Sequence, residues 1–429
     1  MKQLQPEKRS LPQPGLFAGL LFLLLLTGPP KFRFRDAEAS LYGELDWATI
    51  VQIVAWLLGG CWVLFQLFDR ARRRTLRARF SPTHRWALAV ILLLGLSTFV
   101  SRAPALTAFK AYQLAVLFMF GFLFVHLYGA QACLRKMLAG HLLLCAAIAA
   151  SLLLFPDLVL FVSETGAPRL RGSGIAEAGT VASLAVILLA TRKPRIPFLV
   201  YFPLIAGLCL MVFFSLMRTA YLVLAVFFAM RFLKSTRMNW RGWLTATVVV
   251  TLVTAIAAGQ LLNLDAYRDP ESLLTLSDRL GLWAHFIDAT WNDSPWLGLG
   301  FIAGTRVVGM EYNPELGSGH SIFFEVFVGG GLISLAAFLG LFLWLARDAF
   351  WLFSNGRDQA SFGIVSLFMA VFLVGLIGGE IDSGQMGFTF WMLVTLIPYQ
   401  RKLLSQSAAH KVGSSMLPGG TAGPATASS

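Results

Sequence analysis

Trp47-Ala48-Thr49-Ile50-Val51-Gln52-Ile53-Val54-Ala55-Trp56-Leu57-Leu58-Gly59-Gly60-Cys61-Trp62-Val63-Leu64-Phe65-Gln66-Leu67 contains no Asp, Glu, Lys or Arg. Its length matches the ~20 apolar residues that a helix needs to cross hydrocarbon. Lipid offers no water to unpaired backbone groups, so such a run must be helical. Directly after it come Arg70, Arg72, Arg73, Arg74, Arg77 and Arg79. A basic cluster of this kind holds a helix end at the cytoplasmic surface beside anionic lipid.

Working outward, similar runs recur along the whole chain. They predict an all-α polytopic membrane protein with about twelve spans, at 14–30, 47–67, 86–102, 107–127, 139–161, 174–191, 197–216, 219–233, 242–261, 321–346, 360–380 and 386–400. The alternating strands of a membrane barrel are absent from the sequence. The first run resembles a signal-peptide core, but Gly28-Pro29-Pro30-Lys31 follows it instead of a small-residue cleavage site, so it reads as a retained helix.

Composition agrees. Of 429 residues, 57% are hydrophobic and 13% charged, against roughly 25% charged in ordinary soluble domains. The net charge of +13 raises nucleic acid as a partner, but basic cytoplasmic loops account for it, and no nucleic-acid partner is expected. With both termini cytoplasmic, about two-thirds of the 35 lysines and arginines fall on the cytoplasmic side. Cys61, Cys133, Cys145 and Cys209 form neither a disulfide framework nor a zinc pattern.

The chain then divides into spans one to nine (1–261), a large outer loop (262–320), spans ten to twelve (321–400) and a tail (401–429). The tail is rich in Ser, Ala, Gly and Pro and reads as disordered. Inside the loop, Ser277 can cap a helix beginning Asp278-Arg279, with Leu280, Trp283, Ile287 and Trp291 at spacings of three and four. An amphipathic helix with two exposed tryptophans suits the membrane interface. Asn292-Asp293-Ser294-Pro295 marks a turn.

Cations are scarce on the outer side, so each one there asks for a reason. Arg218, in Leu216-Met217-Arg218-Thr219-Ala220-Tyr221, stands where two spans meet. It reads either as a snorkelling helix-end residue or as a fork for a phosphate at the bilayer edge. Arg279 opens the loop helix, with a surface ion pair to Asp278 or Asp265 as its plain alternative. His320, in Gly317-Ser318-Gly319-His320-Ser321, is carried on a glycine-bearing turn into a span. An imidazole pKa of ~6.5 suits a proton acceptor near neutrality; an interfacial histidine bonded to a carbonyl is the bland reading. His285 lies mid-helix and is less favoured. Arg169 and Arg171 could widen an anion site. Glu380 and Asp382 close the eleventh span on the same side, but two carboxylates are too few for a metal site. No metal or cofactor is expected.

These elements together resemble the O-antigen ligase and polymerase superfamily. Arg218-Thr219-Ala220-Tyr221 is similar to its arginine motif. Arg279, then Pro295-Trp296-Leu297-Gly298-Leu299-Gly300, then His320-Ser321 and the run Glu325 to Gly331 are similar to its signature, in order. Arg171-Gly172 resembles its upstream element. Ser321 stands where Asn is usual, and Gly329-Gly330-Gly331 replaces a simpler glycine step.

The resemblance implies a glycosyltransferase of the bacterial inner membrane with a GT-C-like architecture and a periplasmic active site. It implies a donor glycan on undecaprenyl diphosphate and, in a ligase, a sugar hydroxyl of lipid A–core as acceptor. His320, Arg218 and Arg279 would be catalytic; Arg171, Arg169, Asp382 and Glu380 would line the diphosphate site. A polymerase acting on lipid-linked repeats is the nearest alternative. A secondary transporter is the rival from another class, disfavoured because no internal repeat is evident.

Overall fold

The computed structural model describes residues 14–27, 47–69, 76, 79–162, 168–170, 176–191, 197–234, 279–313, 319, 321–377, 381 and 384–415. The expected ninth span, the first part of the outer loop with Ser277 and Asp278, and most of the basic run at 70–77 lie outside the described residues.

The chain folds as a helical bundle. In order, the longer described helices are α1 (Leu16–Thr27), α2 (Trp47–Phe68), α3 (Pro82–Leu96), α4 (Pro104–Tyr128), α5 (Ala130–Leu154), α6 (Ala178–Ala190), α7 (Phe198–Ser215), α8 (Arg218–Lys234), α9 (Arg279–Asp293), α10 (Ala303–Tyr312), α11 (Ile322–Asn355), α12 (Gln359–Ile377) and α13 (Gly384–Ser415). Six of the described helices are long and apolar enough to cross a membrane, and α1, α6 and α7 are shorter apolar helices. Several boundaries differ from the hydropathy reading; α5 ends at Leu154 and not at 161, and α11 runs past 346 to Asn355. α5 starts at Ala130, because Arg135 and Lys136 do not interrupt a helix that is already packed. α13 runs on past Ser405 to Ser415.

Local chemistry starts and stops these helices. Ser81 caps α3: its hydroxyl accepts the His84 N–H, and the His84 imidazole accepts the Ser81 N–H, with Pro82 in the first turn. After α5 the chain forms an antiparallel pair of strands, β1 (Leu160–Val162) and β2 (Pro168–Leu170), with Phe161 opposite Arg169. Three-residue strands carry too little alternation to be read from sequence.

The interior is aromatic. Phe22 of α1 packs against Phe124 of α4 and Phe388 of α13, with ring centroids 4.7 and 5.0 Å apart. Within lipid such fitted contacts, not water exclusion, hold helices together. One end of the bundle is tied by charge. Asp348 of α11 is buried between Arg347 and Arg401 of α13. The Lys234 ammonium donates to the carbonyls of Phe353 (2.7 Å) and Gly356 (2.6 Å), where α11 ends and its carbonyls lack partners.

The opposite end carries the candidate site. α11 breaks at Gly331, whose φ of 68° and ψ of −169° leave the helix. The turn after α9 fills the break. Leu299 N–H donates to Val328 O (2.7 Å) and Gly300 N–H to Gly329 O (3.1 Å); in return Leu332 N–H donates to Pro295 O (2.8 Å). These bonds satisfy backbone that a membrane-embedded break would otherwise leave bare. The same turn is held from below by α3 and α4: Phe301 N–H donates to the Ser97 hydroxyl and the Thr107 hydroxyl to Phe301 O.

This fit admits only glycine at two places. A Cβ at Gly331 would collide with the Trp296 carbonyl, and one at Gly298 (φ 72°) would lie 2.5 Å from the Gly330 nitrogen. Gly331→Ala and Gly298→Ala should each cost at least the ~1–3 kcal/mol of a strained backbone, read as a lower unfolding temperature in detergent. Gly207→Ala, where a Cβ meets nothing within 4 Å, should leave that temperature unchanged or raise it.

Candidate functional site

The elements at the break end can be followed through side-chain neighbours. Gly375, near the end of α12, packs on Ile322 at the start of α11. Gly363, near the start of α12, packs on Thr191 at the end of α6, so the start of α6 lies toward the break end. There Gly179 meets Ser215 and Met217, at the junction of α7 and α8. Arg218 therefore sits at the same end of the bundle as α9, the α11 break and Ser321.

Arg218 owes its position to a tight reversal. Leu216 adopts the left-handed conformation (φ 51°) that ends α7. Ser215 accepts the Met217 N–H at 3.3 Å, and the Tyr221 hydroxyl reaches back to Phe213 O at 2.8 Å. The first residue of α8 is thereby an exposed arginine, on a helix N-terminus that itself favours anions. Arg169 lies on β2, which packs beside α7.

Arg279 is the first residue of α9. Four residues on, on the same helix face, Trp283 stacks on Phe324 of α11 with centroids 4.8 Å apart. Its indole N–H donates to Gly319 O at 3.0 Å. Gly319 directly precedes His320, so the helix that opens with Arg279 is pinned to the His320 segment. His320 itself lies outside the described residues, as do Arg171, Glu380 and Asp382.

Trp283 corrects one expectation. It is half-buried and engaged with the fold, so it does not share the exposed stripe. That stripe is Leu280, Ile287 and Trp291 (60% exposed), continued by Trp296 (63%) beyond the helix. A second stripe, Leu282, Phe286 and Thr290, is buried toward Val328 and Leu299. Spacings of three and four do not say which of two apolar stripes faces the bundle, so the sequence could not assign Trp283.

Glu325 was part of the signature but had no role in the sequence reading. Its side chain is buried at 1% exposure in the first turn of α11. Its Oε2 accepts the Ile381 N–H at 3.4 Å. Ile381 lies between Glu380 and Asp382, and its carbonyl accepts the Trp391 indole N–H at 3.0 Å. A Cβ on Gly319 would come within 3.3 Å of Glu325 Cγ. The Glu325 side chain thus lies between Gly319 and Ile381.

Arg102, missed at the sequence level, clamps the loop from the α3–α4 connection. Its guanidinium meets Asp293 at 2.5 Å and Glu311 at 2.6 Å. Partial burial works against its charge, but the two carboxylates outweigh that and raise its pKa above the ordinary value. All partners are partly exposed, so the clamp orients the loop more than it stabilises the fold.

Among curated proteins, none matches the chain. Residues 202–339, a region that runs from α7 through Arg218, Arg279 and the break in α11, match the family model described as O-antigen ligase, the superfamily that the sequence motifs resemble.

Proposed function

We propose that this protein transfers a glycan from undecaprenyl diphosphate to a sugar hydroxyl of lipid A–core, on the periplasmic face of a bacterial inner membrane. The observation that carries the proposal is the tie between the Arg279 helix and the His320 segment through Trp283, within the region that matches the family. The twelve-span, GT-C-like arrangement with both termini cytoplasmic belongs to the same proposal.

In this reading the acceptor hydroxyl oxygen attacks the anomeric carbon while the carbon–oxygen bond to the diphosphate breaks. The bonding pair leaves with the diphosphate, and the hydroxyl proton passes to the His320 imidazole. Arg218 and Arg279, with Arg169 and Arg171 around them, hold the diphosphate as its charge grows. Each charge-assisted hydrogen bond contributes about 1.5–3 kcal/mol. Attack from the face opposite the diphosphate inverts the anomeric centre. The activated bond lies in the donor, so the step needs no nucleotide, and the guanidinium groups take the place a metal ion could fill at the diphosphate. Glu380 and Asp382 would border the diphosphate site. The exposed stripe of α9 would rest on lipid, with the donor's polyprenyl tail between helices.

Deletion of the gene followed by glycolipid profiling tests the reading. Loss of all glycan from lipid A–core, with full-length glycan stranded on its carrier, is the expected result. Single repeat units on the core would instead mean a polymerase, and an unchanged profile would rule against both.

A further inference from the structure

We propose that the end of the bundle opposite the break binds the phosphate of an anionic glycerophospholipid, held by Arg347 and Arg401 at the foot of an exposed apolar stripe on α11. The site is independent of the transferase reading.

It starts from one buried carboxylate. Asp348 Oδ1 accepts from Arg401 of α13 and from both Nε (3.1 Å) and Nη2 (2.9 Å) of Arg347. Through this contact Arg401 joins two helices. Arg347 does not: it precedes Asp348 on the same helix, so its contact ties nothing that Arg401 leaves loose. The Arg347 side chain is 52% exposed, yet it is fixed a second time, since its guanidinium carbon lies 3.5 Å from the centre of the Trp344 ring. Arg401 lies over Trp351 in the same way, at 5.5 Å. Two cations on one carboxylate leave a net positive charge. Among the described residues, Nη1 of Arg347 and Nε and Nη2 of Arg401 have no acceptor. Planar N–H groups aligned in advance suit phosphate oxygens.

The surface that leads to the two forks says which phosphate. Ile333, Leu339 and Leu343 are exposed on the side of α11 that ends in Arg347. From Ile333 to Leu343 the helix rises about 15 Å, half of the ~30 Å hydrocarbon core and so one leaflet. Trp86 of α3, itself partly exposed, rests on Gly340 within that stripe and gives it a second wall. A soluble anion would gain nothing from such an approach. A phospholipid lays its acyl chains on the stripe and its headgroup on the forks. Arg79, bonded to His126 O, and Lys234, bonded to Phe353 O, gather at the same end. An end rich in cations belongs on the cytoplasmic side, where the leaflet is anionic.

Purified protein in a neutral detergent would be titrated with phosphatidylglycerol and, separately, with phosphatidylcholine, binding being read as the rise in unfolding temperature. Wild type should prefer phosphatidylglycerol by about fivefold or more, and the preference should shrink as salt is raised. Arg347→Gln should lose most of it, about the fivefold that one cation near an anionic surface contributes. The variant should fold, because Asp348 keeps Arg401. Arg357→Gln, which removes an exposed cation just beyond the end of α11, should keep the preference within about twofold. Should Arg347→Gln fail to fold, a photoactivatable phosphatidylglycerol decides on the wild type: it should label 343–351, and phosphatidylglycerol but not phosphatidylcholine should compete. Equal binding of the two lipids, equal loss in both variants, labelling elsewhere, or displacement by free glycerol phosphate as effective as by the intact lipid overturns the proposal.

Discussion

His320→Ala should reduce glycan transfer by about 10²–10⁴-fold, the range that a positioned general base contributes. The measurement is turnover by purified protein with a lipid-linked donor and acceptor. The variant should fold, because the residues on either side are held without the imidazole. Gly319 O accepts the Trp283 indole, and the buried Ser321 carbonyl accepts the Glu325 N–H. His320→Gln separates two contributions: it can still orient a hydroxyl by hydrogen bonding, but it cannot take the proton, so it should be nearly as slow as Ala. The wild-type rate should fall in acid, because only the neutral imidazole accepts a proton. In the Ala variant that dependence should disappear. Turnover within about twofold of wild type would remove His320 from the reaction.

Arg218→Lys should cut kcat about tenfold to a hundredfold, the equivalent of one lost charge-assisted hydrogen bond at ~1.5–3 kcal/mol. Lysine keeps the charge and the length but has no planar fork to meet two phosphate oxygens at once. The reversal at Leu216 should survive, because Ser215, Tyr221 and Phe213 bond across it. If Arg218 acts on charge that develops as the bond breaks, kcat falls and donor KM changes little. If it only grips the ground-state diphosphate, KM rises instead. Full activity in the Lys variant would mean that Arg218 does no more than anchor a helix end.

The break in α11 shapes the end of the bundle where Arg218 and Arg279 lie. Hydropathy reads 321–346 as one uninterrupted span, and the helix is indeed apolar on both sides of Gly331. The interruption lets the loop's glycine turn enter the bundle and carries α9 with it. In membrane proteins, helices broken at depth border cavities or are covered by protein; here the Ser294–Phe301 turn is the cover.

Sequence alone determined the helical membrane fold, since charge-free runs near the bilayer thickness leave the backbone no other way to satisfy itself. It also picked out Arg218, Arg279 and His320 as candidates, because cations and imidazoles are rare on the side where the apolar spans emerge. Tertiary structure decided what those residues keep company with. Trp283 faces the His320 segment and Trp291 does not, Glu325 reaches across 56 positions to Ile381, and Arg102 reaches the loop it clamps. None of these is written in a local pattern: each depends on which face of a helix meets which neighbour, and that is settled by packing among segments distant in the chain.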